Sequence, residues 1–183
     1  FTANSSSTIY IKTPTSLNIN LEISYDLKEW MVWNKNDSGV FETITLNTGE
    51  NLYIRGENNV MASSGSVYSQ FVVTGSVDVS GHLTSLLTKN SILMTLEGRN
   101  YCFYRLFQNC GAIKHVEELK LLPIILSDYC YYGMFQNCTS ITTSPELPAT
   151  TLAPYCYGQM FYGCSSFTTA PELPAKTLKN YCY

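Results

Sequence analysis

Apolar and polar residues alternate with a period of two along residues 7–56, and turn residues interrupt the alternation at short intervals. The segments STIYIK (7–12), SLNINLEIS (16–24), EWMVWN (29–34), VFETITLN (40–47) and NLYIRG (51–56) each read as a half-buried strand. In the second, Leu17, Ile19, Leu21 and Ile23 share one face, and Asn18, Asn20 and Glu22 share the other. Thr13-Pro14, Asp26, Asn36-Asp37-Ser38-Gly39 and Thr48-Gly49 supply the turns between them. Five short strands with this spacing predict a small all-β sandwich over residues 1–58. Trp30 and Trp33 suit either packing at the core or sheet edge, or stacking against a ligand.

The pattern changes after residue 100. YCFYRLFQNC (101–110), YCYYGMFQNC (129–138) and YCYGQMFYGC (155–164) are copies of one segment, and YCY (181–183) opens a fourth. Cys130 to Cys156, Cys156 to Cys182 and Cys138 to Cys164 each span 26 residues, whereas Cys102 to Cys130 and Cys110 to Cys138 span 28. A period of this length predicts a solenoid whose units bury their apolar faces by stacking on one another. On an ideal helical wheel Cys130, Tyr131, Met134, Phe135 and Cys138 fall within roughly 140° of arc, one apolar face. The same offsets hold Cys102, Phe103, Leu106, Phe107 and Cys110, then Cys156, Tyr157, Met160, Phe161 and Cys164. Ser127-Asp128 can cap such a helix, and Gly111 or Gly163 suits its end. In SITTSPELP, Ile141 and Leu147 lie opposite Thr142, Ser144 and Glu146, which reads as a short strand. The expected fold class is therefore α+β: an N-terminal all-β sandwich followed by an α/β solenoid of about 26-residue repeats, with parallel strands on one side and short helices on the other. Residues 59–100 read as linker and leading cap, and residues 101–183 as three units plus the start of a truncated fourth.

The run CYYGMFQNCTSITTSPELPATTLAPYCYGQMFYGC (130–164) resembles the BspA-like leucine-rich repeats of surface proteins from host-associated anaerobic bacteria. Those repeats carry an A/M-F-x-x-C-x-S-L motif, then a short strand and a Leu-Pro. FVVTGSVDVSGHLTSLL (71–87) is similar to the cap that precedes such arrays, and residues 25–58 resemble the small β-domain often fused before them. HVEELKLLPIIL in the first unit departs most from the pattern. The resemblance implies adhesion or recognition without catalysis, with a host or bacterial surface protein as partner, or else a glycan-binding accessory module. It also implies an extracellular or outer-surface location, lipid-anchored in the full-length protein.

Composition narrows the chemistry. The 183-residue chain is 45% hydrophobic and 14% charged with a net charge of −3, so it can build a core but lacks the basic surface a nucleic-acid partner needs. Its apolar runs, such as LKLLPIIL (119–126), are too short for a transmembrane segment. All seven cysteines and ten of the fourteen tyrosines lie in residues 101–183, so two differently built regions are expected.

The paired cysteines admit several readings. Seven intervening residues do not fit a zinc knuckle. Two cysteines eight apart on a helix sit about 12 Å apart, too far for a disulfide. Buried free thiols acting as small hydrophobes fit best. The only histidines, His82 and His115, do not recur with the cysteines, so no catalytic residue, metal site or cofactor is expected. The predicted structural core comprises Cys102, Leu106, Phe107, Cys110, Cys130, Met134, Phe135, Cys138, Cys156, Met160, Phe161 and Cys164. Glu118, Glu146 and Glu172 share one offset and read as an aligned row, either solvated or facing a cation or basic partner. Thr142, Glu146, Thr168 and Glu172 are candidate ligand-binding positions on the strand side. Tyr101, Tyr129, Tyr155 and Tyr181 precede each first cysteine and fall opposite the apolar face. They are the other candidates, either as a ladder for protein or sugar or as repeat packing.

Overall fold

A computed structural model describes residues 1–183. Its strands are short: β1 (Thr2–Ala3), β2 (Ser7–Lys12), β3 (Leu21–Ser24), β4 (Met31–Trp33), β5 (Ile44–Leu46), β6 (Tyr53–Gly56), β7 (Gln70–Val73), β8 (Val77–Asp78), β9 (Gly81–His82), β10 (Ile113–His115) and β11 (Leu119–Lys120). A 3₁₀ turn at Leu83–Leu86 is the sole helical element. No helix is long and apolar enough to cross a membrane.

The N-terminal alternation builds two antiparallel three-stranded sheets, β5-β2-β7 and β4-β3-β6. Ile9 and Ile11 of β2 point inward with Ile9 opposite Ile44 and Val73, and Ile11 opposite Phe71. Each expected strand segment contains an observed strand, in most cases a shorter one. Within residues 16–24 only Leu21–Ser24 is strand, although Leu17 and Ile19 are buried too. The Asn58 side chain takes the place of a ladder partner there. Its Oδ1 accepts from the Asn20 N–H at 2.9 Å, and its Nδ2 donates to the Asn20 carbonyl at 3.0 Å. Trp33 is a core residue, packed on Phe41 at 5.2 Å with its indole N–H donating to the Glu42 carbonyl. Trp30 lies at the sheet edge beneath the Arg55 guanidinium, 3.9 Å from the ring centre.

One hydrophobic cluster of 45 residues runs from Ala3 to Cys182, across residues 58 and 100. The segment from Met61 to Gly81 lies directly on the first repeat. The N–H groups of Met61, Phe71, Val77, Val79 and Gly81 donate to the carbonyls of Cys102, Leu106, Ala112, His115 and Glu118.

The C-terminal region corrects the expectation most. It is not an α/β leucine-rich-repeat solenoid, because the cysteine segments contain no helix and the molecule is almost entirely strand, turn and loop. Each ten-residue segment is a ribbon of consecutive β-turns. Even-numbered residues Cys102, Tyr104, Leu106, Gln108 and Cys110 donate their N–H to the carbonyl three residues back. Odd-numbered Tyr101, Phe103, Arg105, Phe107 and Asn109 donate instead to the next copy, at Asp128, Cys130, Tyr132, Met134 and Gln136. The second copy repeats the scheme toward the third: Tyr129, Tyr131, Gly133, Phe135 and Asn137 donate to Pro154, Cys156, Gly158, Met160 and Tyr162. In these two copies every backbone N–H of the ribbon is thereby committed, half within the coil and half between coils.

Every fourth residue has positive φ: Tyr101, Arg105 and Asn109; then Tyr129, Gly133 and Asn137; then Tyr155, Gln159 and Gly163; then Tyr181. A helix requires negative φ throughout and N–H bonds four residues back, so this geometry excludes it.

The expected continuous parallel sheet is likewise reduced to fragments. β8 pairs with β10 and β9 with β11 in parallel, and single parallel bridges join Thr95 to Ile125 and Ile125 to Thr151. SITTSPELP forms no strand. Pro145 and Pro148 cannot donate to a ladder, which breaks the pairing there.

Candidate functional site

The ribbon places the residue before each first cysteine at a positive-φ corner, and stacking puts those corners in one row. Tyr101, Tyr129, Tyr155 and Tyr181 form a continuous pile of rings. Successive centroids are 4.8, 4.5 and 4.9 Å apart, with interplanar angles of 3°, 6° and 16°. Tyrosine with φ near 60° is sterically disfavoured, at a cost of about 1–3 kcal/mol per residue. Ring stacking offsets part of that, by roughly 0.5–1.5 kcal/mol per pair.

Tyr101, Tyr129 and Tyr155 are half-buried, and Tyr181 is 71% exposed. Loss of solvation among the rings, followed by the neighbouring Tyr155 and Tyr101 phenols, raises the Tyr129 pKa above its ordinary value. Both ring faces of Tyr129 and Tyr155 are covered by their neighbours, whereas Tyr101 and Tyr181 end the pile with one stacked face each.

A second row flanks the first. Tyr104 and Tyr132 stack at 5.3 Å, and each meets the tyrosine three residues before it: Tyr101 at 5.6 Å, Tyr129 at 5.7 Å. The Arg105 guanidinium lies over Tyr104 at 5.1 Å and Tyr132 at 6.0 Å. Polar ladders close the other end of the ribbon. Gln108 Nε2 donates to Gln136 Oε1, Gln136 Nε2 to Gln159 Oε1 at 3.2 Å, and Asn137 Nδ2 to Asn109 Oδ1 at 2.9 Å. Sequence reasoning passed over Tyr104, Tyr132, Arg105 and these amides. Reading the polar offsets of the copies as carefully as the apolar ones would have found Gln108/Gln136 and Asn109/Asn137.

Inside the stack, Cys102, Leu106, Phe107, Cys110, Cys130, Met134, Phe135, Cys138, Cys156, Met160 and Cys164 are buried, and Phe161 is partly so. All seven cysteines are free. The thiols of Cys110, Cys138 and Cys164 donate to the Phe71, Phe107 and Phe135 carbonyls at 3.1, 3.0 and 3.0 Å. Burial pushes the Cys110 thiol up to about 12 and the Cys156 thiol to about 11, and raises those of Cys102, Cys130, Cys138 and Cys164 as well. Protonated thiols held as donors are poor metal ligands and poor nucleophiles.

Two further aromatic piles fill the core. Phe103, Tyr131, Tyr157 and Tyr183 stack at 5.6, 5.5 and 6.0 Å; Phe107, Phe135 and Phe161 stack at 5.5 and 5.9 Å. The fully buried Tyr131 hydroxyl has no hydrogen-bond partner, and the equivalent position in the first copy is Phe103. Tyr131→Phe is therefore expected to stabilise the protein by up to about 1 kcal/mol, read from chemical denaturation midpoints.

The remaining candidates lie apart from the tyrosines. Thr142, Glu146, Thr168 and Glu172 are exposed on the connectors. The Thr168 N–H and hydroxyl both donate to the Thr142 carbonyl, at 2.9 and 3.2 Å, so these two threonines join neighbouring connectors. Glu146 and Glu172 flank a proline-lined depression of about 490 Å³. Glu118, from the same sequence row, pairs with Lys120 at 3.5 Å.

The structure thus brings the four tyrosines together and leaves the Thr/Glu set on a different surface. No protein-family model, curated protein or solved structure matches the chain.

Proposed function

We propose that the protein is a non-catalytic recognition module, located outside the cell or on its outer surface, whose partner is a protein of a host or bacterial surface. The observation that carries this reading is the row of stacked tyrosine edges at Tyr101, Tyr129, Tyr155 and Tyr181, flanked by Tyr104, Tyr132 and Arg105. Tyrosine and arginine dominate protein-binding hot spots, because each offers large contact area with little ordering cost or a directional set of donors. Here the rings are held in place before any partner arrives, which removes most of that cost. The resemblance of the repeat sequence to bacterial surface proteins supports the same reading. Burial of all seven thiols is compatible with an oxidising exterior, since buried thiols are protected from exchange.

Glycan binding is the alternative. Sugar rings pack on open aromatic faces, and stacking closes both faces of Tyr129 and Tyr155. Of the two end rings that keep an unstacked face, Tyr101 is half-buried and Tyr181 is the more exposed platform.

The combined change Tyr101→Phe, Tyr129→Phe and Tyr155→Phe keeps the stack and removes three hydroxyls. Binding would be followed by interferometry against a panel of matrix and surface proteins, in parallel with a glycan array. Saturable protein binding that weakens about tenfold or more in the variant, with an unchanged Tm, is the expected result. Binding to glycans alone, or protein binding indifferent to the three changes, would overturn the proposal.

A further inference from the structure

The three coils at residues 101–110, 129–138 and 155–164 hold a single charged residue between them, Arg105. It occupies a corner with φ of 53°, and the equivalent corners are Gly133 at 59° and Gln159 at 54°. Glycine adopts that conformation freely, whereas an arginine held there is strained. Its side chain crosses the seam toward the second coil through space that Gly133 leaves open. A Cβ at residue 133 would stand 3.2 Å from the Arg105 Cγ and 3.7 Å from its Nε. Gln159 shows that the corner accepts a side chain, so what glycine secures at residue 133 is room for the arginine. The guanidinium carbon comes to rest 5.1 Å from the Tyr104 ring centre and 6.0 Å from that of Tyr132, beside two rings that are 5.3 Å apart.

Nothing in the chain neutralises this cation. Arg105 takes part in none of the ion pairs, which use Arg55, Lys89, His115 and Lys120. Its Nε is sealed from solvent and has no acceptor. Arg99, by contrast, donates its Nη1 to the Asn59 side chain at 3.0 Å. A strained corner and a buried donor without a partner both destabilise the fold, and the contact with the two tyrosines offsets only part of that. Glycine at the same corner, as in the second coil, carries neither penalty. The arginine is thus explained by something it binds outside the chain.

We propose that Arg105 is a carboxylate-recognition site whose ligand is an aspartate or glutamate side chain of the partner protein. With Nε sealed, the guanidinium offers its Nη end, where two parallel donors match the two oxygens of a carboxylate. The site supplies one positive charge, because the second and third coils contain no lysine or arginine. A phosphate group, close to doubly charged at neutral pH, would keep charge unmatched there. The guanidinium is partly buried, which favours a carboxylate on a slim methylene arm over one set directly on a sugar ring. The anion site rests on this geometry alone; that its carboxylate belongs to a protein rests on the recognition reading above.

Four probes test the site at constant ionic strength: N-acetylglutamate N-methylamide, its neutral glutamine analogue, inorganic phosphate and N-acetylneuraminic acid. Binding is followed through the Arg105 Nε–H and Tyr132 amide resonances. The glutamate compound is expected to shift both saturably and the glutamine analogue neither, with the other two anions at least about fivefold weaker. Arg105→Gly, which copies the residue of the second coil, should abolish the Tyr132 response while Tm stays level or rises. Arg105→Lys keeps the charge without the fork and should bind at least about fivefold more weakly. Shifts that follow ionic strength alone, or a preference for phosphate or N-acetylneuraminic acid, would overturn the proposal. So would a fall in Tm on Arg105→Gly, which would make the arginine a structural residue. In the panel of matrix and surface proteins, binding left unchanged by Arg105→Gly would overturn the assignment while the recognition reading stood. A glutamate response without any protein binder would sink that reading and leave the anion site in place.

Discussion

Raising the pH from about 8 to about 11 in the presence of reductant is expected to unfold the repeat region cooperatively, below the pH at which Cys102, Cys110, Cys130 and Cys138 ionise in the folded state. Cys102, Cys110, Cys130 and Cys138 have ordinary values near 9, and burial raises all four in the native protein, Cys110 to about 12. Above pH 9 the unfolded chain therefore releases protons that the folded chain retains. Fewer protons on the unfolded state make the slope of unfolding free energy with pH negative. The stabilisation is complete below pH 9 and is lost as the pH climbs toward the folded values. Each such thiol contributes about 1.4 kcal/mol per pH unit over that window, so four approach about 5–6 kcal/mol per unit. A domain of ordinary stability, about 5–15 kcal/mol, would lose its margin within one to three units. Equilibrium denaturation at stepped pH, followed by near-ultraviolet circular dichroism, reads the slope directly. A stability that is flat between pH 9 and pH 11 would mean that the thiols are open to solvent.

Phe135→Ala is expected to cost about 3–5 kcal/mol, the range for removing a large aromatic ring from a packed interior. Phe135 is fully buried and stacked between Phe107 and Phe161, so truncation breaks two ring contacts and leaves a void under the turn ribbon. Its own N–H reaches the Met160 carbonyl of the next coil, and its carbonyl accepts from the Cys164 thiol and from the Cys138 N–H. Collapse of the ring site would therefore disturb bonds to two coils at once. Phe107→Ala, at the equivalent place one coil earlier, should fall in the same range, whereas Phe161→Ala should cost less because that ring is only partly buried. Urea midpoints for the three variants would show the ordering. A loss below about 1 kcal/mol at Phe135 would mean the ring is not part of the core.

The period-two segments of the first sixty residues were legible because each strand there has one wet face and one dry face, which a sequence records directly. The ribbon was not, although the inward residues could be picked out by offset. Over ten residues, the 3.6-residue period of a helix and the four-residue period of this ribbon select nearly the same positions. Cys130, Tyr131, Met134, Phe135 and Cys138 scatter over an arc of about 140° at 100° per residue. At roughly 90° they collapse into two columns, the tighter fit. A second signal lay in Gly133, Asn137, Asn109 and Gly163, residues tolerant of positive φ and set at four-residue spacing within their coils. The tyrosines concealed that signal, since a bulky ring at a positive-φ corner runs against local preference and is held there by its neighbours in the stack. Pro145 and Pro148 were visible too, but the alternation around them outweighed the missing donors. The polar ladders were unreadable as contacts, because they depend on the register between coils rather than on order within one.

The division of N–H groups by parity has a consequence for how this chain can change in length. Adding or deleting one residue within a coil would exchange inward-bonding and outward-bonding positions from that point on, so that donors would face donors across the seam. Length can drift freely only in the connectors. The three copies obey this: Cys102 to Cys110, Cys130 to Cys138 and Cys156 to Cys164 each span eight residues, while Cys110 to Cys130 spans 20 and Cys138 to Cys156 spans 18. Variation in such a molecule is therefore channelled into one side of every coil, the side that carries Thr142, Glu146, Thr168 and Glu172. The tyrosine side is kept in step by the grammar of its own backbone.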